Sequence, residues 1–298
     1  MLSILIPTYN YNAYPLAEKL VTQSLVLGIN FELSCMDDGS NSNLNTENQK
    51  INTLECAEFI ISEKNVGRTA TRQILAQNAK YDWLLFLDAD VMPKDNTFIK
   101  KIVSNIENDT DIIFGGITYQ KTKPEAIKIL RWHYGRNREQ QPLKHRKNKP
   151  YQSIISGALA IKKDVFLKTN SELTENKYGL DILFSTLLKK NKTNVVHIEN
   201  PVIHFGIENN KLFLSKTKKA IDTLYYLVKE NKISSSETKL LKVFNKLRAI
   251  GLAYFLGTIT LKFNNEIEKK LLSKSPNLIL FDIYRLGYFC RLNQKDNV

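Results

Sequence analysis

The sequence contains few cysteines and no long hydrophobic run. Its 298 residues include three cysteines, Cys35, Cys56 and Cys290, which are too few and too scattered for a disulfide framework or a zinc site. The most apolar stretch, AIGLAYFLGTITL at 249–261, is shorter than the roughly 20 residues that a membrane-spanning helix needs. We therefore interpret it as a buried helix or as a helix lying on a membrane surface.

The first residues also lack the features of an export signal. Met1 is followed at once by LSILIP, without a basic segment or a cleavage site. Because cysteines are also few, we expect a protein of the reducing cytoplasm. A peripheral position at the inner face of the cell membrane is compatible with the apolar stretch.

Acidic residues are outnumbered, since 30 Asp or Glu face 43 Lys or Arg, giving a net charge of +13. Such a balance suits nucleic acid, an anionic membrane surface or phosphorylated substrates. Residues 121–149 hold ten of the cations and only two acids, and the remaining excess lies as Lys pairs in the C-terminal third. Because the sequence has no RNP, zinc-finger or helix-turn-helix pattern, we predict no nucleic-acid partner.

Strand and helix patterns alternate in the first half of the chain. Helix patterns at 15–28 and 68–79 lie among four strand patterns, at 2–6, 32–37, 58–62 and 83–88. The last of these, WLLFLD, is apolar throughout, which is typical of a central parallel strand covered on both faces. The alternation predicts a doubly wound α/β sheet.

Later segments extend this domain and then become helical. Three more strands and one helix are predicted, at 111–119, 153–161, 194–199 and 180–190 respectively. Beyond about residue 211 only helix patterns remain. We therefore predict an α/β domain over residues 1–210, with halves 1–93 and 94–210, and a C-terminal helical extension over residues 211–298.

Two carboxylates, Asp88 and Asp90, directly follow the apolar strand pattern. Ligands of open parallel sheets bind beyond the carboxyl ends of the strands. Residues two apart on an extended backbone point the same way, and two like charges aimed together favour a cation between them. Mg²⁺ and Mn²⁺ prefer such oxygen ligands and also bind phosphates. The DAD motif therefore predicts a divalent-cation site, with a solvated turn as the alternative.

Polar residues follow the other predicted strands as well. PTYN (7–10) and DDGS (37–40) end the first two strands, and NVG (65–67) precedes a helix that carries Arg68 and Arg72 four residues apart. A helix N-terminus with guanidinium groups suits an anion, although two surface arginines would give the same pattern.

Seven segments in order resemble the family 2 glycosyltransferases, which are nucleotide-sugar enzymes of the GT-A fold. They are ILIPTYN (4–10), CMDDGS (35–40), NVGRTATRQ (65–73), LFLDADVMP (85–93), SGALAIKKDVF (156–166), YGLDILFSTLLKK (178–190) and NPVIHFG (200–206). Their order and spacing over residues 1–206 resemble the family more closely than any one segment does. The resemblance implies a GT-A domain, Rossmann-like, with a mostly parallel sheet.

The resemblance also implies a donor site. Pro7 and Tyr9 would line the nucleoside pocket, and Asp38 would hydrogen-bond the base, typically uracil. Arg72 would lie near the nucleotide, as the arginine of the family's N-x-G-x-x-x-A-R stretch does, although Thr71 replaces the alanine here. The implied donor is a nucleotide-sugar, with a UDP-sugar favoured.

The implied metal site lies at the DAD motif. The resemblance places Asp88 at the ribose or the metal and Asp90 at a Mn²⁺ or Mg²⁺ ion on the diphosphate. In some related enzymes a histidine downstream completes this site, and His204 occupies that position here. A structural histidine is the alternative.

The catalytic base is implied at Asp181, where the family has a Glu-Asp pair. The chain departs from the family here, because Leu180 replaces the glutamate and the usual G-G-F-D-E reads TNSELTE (169–175). A plain helix N-cap is the alternative role for Asp181. Glu172 or Glu175 is a candidate substitute for the lost acid.

A basic, aromatic segment lies between the DAD motif and this base. Residues 130–151, LRWHYGRNREQQPLKHRKNKPY, are either a solvated mobile loop or an acceptor-side wall that binds phosphate or acidic sugar. Candidate acceptor contacts are Trp132, Arg136 and Arg138.

The sequence thus predicts an inverting, metal-dependent glycosyltransferase of the hexosyltransferase type. Its acceptor would be a glycan or lipid-linked glycan in surface polysaccharide or glycoconjugate synthesis, with an anionic membrane surface as a further partner. Two other functions stay open. A silent GT-A-like module that binds membrane or glycan would fit Leu180, and a nucleotidyltransferase would also combine an α/β sheet, acids and phosphates.

Overall fold

The computed structural model describes residues 1–152, 154, 157–173 and 175–295. Within these residues, ten strands and thirteen α-helices follow one another: β1 (Leu2–Thr8), α1 (Tyr14–Leu27), β2 (Phe31–Asp37), α2 (Asn45–Asn48), β3 (Ala57–Ile61), α3 (Arg68–Asn78), β4 (Trp83–Leu87), β5 (Val91–Pro93), α4 (Phe98–Val103), β6 (Ile112–Phe114), β7 (Ile117–Tyr119), α5 (Ile129–Tyr134), α6 (Leu143–Asn148), β8 (Ala158–Lys162), α7 (Lys163–Ser171), α8 (Asp181–Lys190), β9 (Val195–His197), β10 (Val202–His204), α9 (Asn210–Lys229), α10 (Lys239–Ala249), α11 (Leu252–Lys262), α12 (Asn264–Leu271) and α13 (Leu278–Lys295).

The chain divides into two compact units. Unit 1 comprises Met1–Gln120, Glu139–Asn176 and Leu187–Gly206, and unit 2 comprises Lys121–Arg138, Lys177–Thr186 and Ile207–Val298. Unit 2 thus combines the C-terminal helices with two short segments from earlier in the chain. The domain boundary after residue 210 stays a prediction.

The main sheet of unit 1 has the strand order β3-β2-β1-β4-β8-β6-β9. The first four strands in this order are parallel, and β8 runs antiparallel to β4 and β6. Every residue of β4 is at most 8% exposed, which explains why its sequence is apolar on both faces. The predicted α/β fold with a mostly parallel sheet is confirmed, and so is the helical C-terminal region.

Unit 1 also contains a second sheet of three strands, and its first strand, β5, follows soon after β4. Its order is β5-β10-β7, with β10 antiparallel to β5 and parallel to β7. The single strand predicted at 111–119 is therefore wrong, because it divides into β6 in the main sheet and β7 in the small one. Gly115 and Gly116 separate the two, and Gly116 has a φ of +92°, which glycine adopts without strain.

The strand predicted at 153–161 is found over residues 158–162 as β8. Ser153, Ile155 and Ser156 of that prediction lie outside the described residues, as does Thr174 of the TNSELTE segment.

The basic segment 130–151 is not a loop. It contains α5 and α6, joined through a π-helical turn at Gly135–Glu139. Arg146, on α6, has a side chain only 3% exposed, and burial lowers the pKa of its guanidinium. The mobile-loop alternative is therefore wrong, and Arg146 is a structural residue.

The Arg146 guanidinium is bound by backbone carbonyl oxygens of unit 1. It donates to Phe114 O at 3.0 Å, Gly115 O at 3.2 Å, Ile198 O at 2.9 Å and Gln141 O at 3.2 Å. Two of these carbonyls lie where the chain leaves β6 for the small sheet. Arg146 therefore stabilises the crossing between the two sheets by adding a second donor to Phe114 O and Gly115 O, which also accept from Ile198 N and Asn200 N.

Unit 2 is helical and has its own core. Leu130 of α5 packs with α9 and with the pair α12 and α13 in a cluster that includes Phe213, Leu271, Phe281 and Tyr284. The Phe213 and Phe281 rings stack with centroids 5.4 Å apart. None of the described helices is both long and apolar enough to cross a membrane.

Replacing Arg146 tests this structural role. We expect Arg146→Met to lower the free energy of unfolding by at least about 3 kcal/mol, because it removes four charge-assisted hydrogen bonds from the guanidinium to backbone carbonyls. Denaturant unfolding measures the change. The neighbouring Lys147 is exposed, so Lys147→Met is the matched control and is expected to change stability by at most about 0.5 kcal/mol. Equal effects of the two variants would contradict the role of Arg146.

Candidate active site

The predicted donor residues of unit 1 lie at one edge of the main sheet. Because β1, β2 and β4 are parallel, their carboxyl ends share this edge. Pro7 lies in β1 opposite Met36 of β2, and Tyr9, just beyond β1, is 58% exposed. An exposed aromatic ring here is available to stack on a planar group.

Asp38 organises the loop that leads into α3. Its Oδ1 accepts a hydrogen bond from Val66 N at 2.7 Å, and its Oδ2 accepts one from Gly67 N at 2.9 Å. Gly67 then starts α3 with a φ of +87°. The carboxylate thus holds the 65–67 turn in place, a role that the sequence analysis did not predict.

Asp37 stabilises the adjacent turn. It is fully buried, and its Oδ2 accepts a hydrogen bond from Ser40 N at 2.9 Å. Gly39, with a φ of +65°, lies so close to the Lys64–Asn65 backbone that a Cβ would come within 2.5 Å of it. The DDGS turn and the loop before α3 are therefore packed against each other through a glycine.

A buried arginine holds Asp88. The Arg72 side chain, on α3, is 6% exposed, and its Nη2 donates to Asp88 Oδ1. Asp88 Oδ2 lies against Gly157, where an added Cβ would be 2.3 Å from it. The structure therefore brings Arg72 and Asp88 together, and their roles in a donor site stay a prediction. Arg68 lies on the exposed side of α3.

The small sheet brings His204 to Asp90. In β10, His204 is opposite Val91, and its Nε2 lies 3.3 Å from Asp90 Oδ2. The backbone N–H groups of Phe205 and Gly206 donate to Asp90 O at 2.8 and 3.3 Å. The two residues are 114 positions apart in sequence and meet only because β5 and β10 pair.

The surroundings of Asp90 and His204 restrict their movement. A Cβ on Gly206 would lie 1.8 Å from Asp90 Oδ2, so only glycine permits this approach. The Tyr119 ring meets His204 edge-on at 5.5 Å, and His204 Nδ1 is buried with no hydrogen-bond partner among the described residues. Burial raises the pKa of the Tyr11 hydroxyl, and the nearby Asp90 carboxylate adds to the increase.

The geometry of Asp90 and His204 fits a divalent cation. Two ligand atoms about 2.1 Å from one cation and roughly at right angles to each other are separated by about 3 Å. The Oδ2–Nε2 distance of 3.3 Å matches that separation. The described residues contain no group of three or more His, Cys, Asp or Glu side chains arranged around a metal position. A cation here would therefore need further ligands from water or from a bound phosphate.

Asp181 and Leu180 belong to unit 2. Asp181 is the first residue of α8, where a carboxylate suits the positive end of the helix. Leu180 is 4% exposed, and its carbonyl accepts the hydrogen bond of Phe184 N at 3.0 Å. The position of the family glutamate is thus occupied by a core side chain.

Of the substitute acids, Glu175 lies in unit 1 next to Asn176. The Asn176 side chain packs on Gly67, where an added Cβ would be 2.4 Å from its Oδ1. Glu175 is therefore next in sequence to a residue that contacts the 65–67 turn. Glu172 is exposed at the end of α7.

The candidate acceptor residues lie on and beyond α5, in unit 2. Trp132 is 7% exposed, and the Arg136 guanidinium lies 4.9 Å from its ring centroid. Arg138 pairs with Asp282 at 2.9 Å. These contacts are internal to unit 2, and the acceptor role of the three residues stays a prediction.

Two glycines that make the site possible were not predicted from the sequence. Gly157 and Gly206 contact Asp88 and Asp90, and both occur in segments that resemble the family. The available signals were a glycine directly before β8 and a glycine two residues after His204. The role of each glycine depends on the carboxylate that lies against it, and only the pairing of the strands shows which carboxylate that is.

The Asp38 contacts yield a stability prediction. We expect Asp38→Asn to lower the free energy of unfolding by about 1–3 kcal/mol, because its amide group cannot accept from both backbone N–H groups. The measurement is denaturant unfolding without any nucleotide, so that donor binding does not contribute. Exposed Glu63→Gln, just before the same loop, controls for loss of charge. If both variants are as stable as the wild type, Asp38 does not hold the loop.

The amino-acid sequence of the chain is similar to those of glycosyltransferases. The profile described as Glycosyl transferase family 2 matches residues 3–169, more than half of the chain. That range includes Asp38, Arg72, Asp88 and Asp90 and ends before Asp181. A Haemophilus influenzae protein described as an uncharacterized glycosyltransferase is 28% identical over 238 residues, covering 74% of this chain and 75% of its own.

Solved structures share the fold at low sequence identity. A mannosyltransferase from Pyrobaculum calidifontis in complex with GDP-Man and Mn2+ has a TM-score of 0.55 at 10% identity, covering 100% of this chain and 88% of its own. S. aureus TarS 1-349 in complex with UDP-GlcNAc has a TM-score of 0.51 at 14% identity, covering 99% and 92%. Glucosyl-3-phosphoglycerate synthase from Mycobacterium tuberculosis, in complex with Mg2+ and uridine-diphosphate, has 0.50 at 14%, covering 79% and 81%.

The profile match and the shared GT-A fold lead to one conclusion: this chain belongs to glycosyltransferase family 2.

Proposed function

We propose that the protein transfers a sugar from a UDP-sugar to a hydroxyl group of a glycan or lipid-linked glycan, with inversion and with the help of a divalent cation. The observation that carries the proposal is the pair of constrained carboxylates after β4. Asp88 is held by the buried Arg72, and Asp90 faces His204 Nε2 at 3.3 Å. Surface polysaccharide or glycoconjugate synthesis is the proposed setting.

The donor nucleotide would bind at the carboxyl edge of β1, β2 and β4. Tyr9 offers an exposed ring for the base, and Pro7 forms the wall beside it. Each oxygen of Asp38 accepts one backbone hydrogen bond but has a second lone pair, so the carboxylate can also accept from a base N–H. Fold relatives in complex with UDP-GlcNAc, uridine-diphosphate and GDP-Man support a nucleotide donor.

Asp90 and His204 are the proposed cation ligands, with Asp88 beside them. A bound Mn²⁺ or Mg²⁺ would offset the negative charge that grows on the leaving diphosphate. Two fold relatives in complex with Mn2+ or Mg2+ support this choice. Arg72, paired with Asp88, adds a fixed positive charge at the same edge of the sheet.

Transfer with inversion requires a base on the acceptor side. The acceptor hydroxyl attacks the anomeric carbon, its proton passes to a carboxylate, and the bond from that carbon to the diphosphate oxygen breaks. The products are a new glycosidic bond and a nucleoside diphosphate. Asp181 is the proposed base, and a single carboxylate suffices because no second displacement follows.

Nucleotide binding is expected to depend on the cation. At 100 times its Kd, UDP with Mn²⁺ should add about 2.7 kcal/mol to the free energy of unfolding, measured by thermal shift. Asp90→Ala is expected to abolish the part that Mn²⁺ adds, whereas Asp109→Ala, an exposed control, keeps it. An equal UDP shift in EDTA would contradict the metal assignment.

The base is tested by separating chemistry from binding. Asp181→Asn keeps the shape and a possible helix cap but removes the basicity, so UDP release from UDP-sugars, with water as acceptor, should fall by about 10²- to 10⁴-fold. UDP affinity with Mn²⁺ is expected to stay within a few-fold of wild type. Glu175→Gln is the matched comparison.

Wild-type release rates in Asp181→Asn, with a loss in Glu175→Gln, would move the base to Glu175. Loss of UDP binding in Asp181→Asn would instead place Asp181 in the donor site. A wild-type protein that binds UDP but releases none from any UDP-sugar would favour the silent module.

A further inference from the structure

Helix α11 directs all but one of its six large apolar side chains outward, the exception being the half-buried Leu256. Five of them, here called the apolar face of α11, are exposed by 36–70%: Leu252, Tyr254, Phe255, Ile259 and Leu261. Leu252, Phe255 and Ile259 follow the i, i+3, i+7 spacing of one helical stripe, and Leu261 lies seven residues after Tyr254. Five large apolar side chains exposed on one short helix favour an interaction site over scattered surface residues.

The inward side of the same helix is made of small residues. Its buried positions are Gly257 and Thr260, which face α13. A Cβ on Gly287 of α13 would lie 2.2 Å from Thr260 Oγ1, and one on Gly257 would lie 3.2 Å from Arg291 N. The two helices therefore approach closely through glycine and threonine.

This arrangement is the reverse of that in a water-exposed helix. A helix on a protein core buries its large apolar side chains and exposes polar ones. Small residues between helices, with large apolar residues outside, are typical of helices packed in a lipid environment. At 11 residues α11 is only about 16 Å long, roughly half the hydrocarbon thickness of a bilayer, so it can lie in the interface but cannot span it.

Exposed cations occur on α11 and on the helix packed against it. Lys262 lies at the end of α11 with its Nζ 5.6 Å from the Phe263 ring centroid. The neighbouring helix α10, which packs on α11, exposes Lys242, Lys246 and Arg248. A helix with exposed apolar residues and lysines at its border is the arrangement found in interfacial membrane helices.

The positive charge of the whole chain is concentrated in the same unit. By sequence, unit 2 contains 24 of the 43 Lys and Arg residues but only 10 of the 30 Asp and Glu residues. Its net charge is therefore +14, whereas that of unit 1 is −1. An anionic surface would therefore attract unit 2, which is also the unit that carries the apolar face.

We infer that the apolar face of α11, with the cations of α10 and Lys262, docks on an anionic lipid bilayer. Charge decides between a bilayer and a second copy of the chain, because pairing two such faces would bring their lysines together at an apolar contact. The inference does not depend on the proposed transfer reaction, since it rests on unit 2 alone.

The test is flotation of the full chain with lipid vesicles. We expect binding to vesicles of phosphatidylcholine and phosphatidylglycerol in equal parts, and little to vesicles of phosphatidylcholine alone. Lys242→Gln/Lys246→Gln should weaken the partition coefficient by about 25-fold, at about fivefold for each cation. Tyr254→Ser/Phe255→Ser keeps every charge and should weaken it by at least about tenfold.

Two matched controls complete the experiment. Leu25→Ser/Val26→Ser removes exposed apolar side chains of α1, and Lys100→Gln/Lys190→Gln removes exposed cations of unit 1. Both should bind like wild type, and circular dichroism melts confirm that all variants are folded. A wild type that stays at the bottom of the gradient overturns the inference, as does equal binding by all variants. So does a dimer, detected by light scattering, that Tyr254→Ser/Phe255→Ser converts to monomer.

Discussion

The site depends on keeping two carboxylates two residues apart at the end of a buried strand. Asp88 and Asp90 both leave β4 towards the same edge of the sheet, where their mutual repulsion must be offset. A different side chain lies beside each carboxylate. Arg72, buried on α3, compensates Asp88, and His204, delivered by the small sheet, faces Asp90. The glycines at 157 and 206 are needed because each carboxylate lies where a Cβ would otherwise be.

Much of the remaining architecture of unit 1 serves this arrangement. The chain must leave the main sheet after β6, form β7 and return through β10 to place His204. Arg146 fixes that crossing by donating to the carbonyls at the end of β6 and beyond β9. Asp38 acts on the other side of the site by holding the turn that starts α3 and so positions Arg72. Charged side chains thus stabilise the fold around the candidate site and also form the site itself.

The sequence predicted what local pattern controls. The apolar run at β4 and the strand–helix alternation predicted the main sheet, and the family segments predicted which residues would gather at its edge. The small sheet was missed because its strands are three residues each, too short for a periodic signal. Arg146 was read as one cation in a basic segment, since its burial depends on carbonyls distant in sequence. The sequence of α11 fitted both a buried helix and a helix on a membrane surface, because periodicity alone does not show which side of an apolar helix is covered.

We propose that Asp90 and His204 together bind a cation at the donor site. Electron spin-echo envelope modulation of protein-bound Mn²⁺ in the presence of UDP tests it directly, because the method detects a nitrogen bonded to the ion. We expect modulation from one imidazole nitrogen in the wild type, its loss in His204→Gln, and its retention in His133→Gln, which alters a histidine of unit 2. Bound Mn²⁺ without nitrogen modulation, or modulation that persists in His204→Gln, would contradict it.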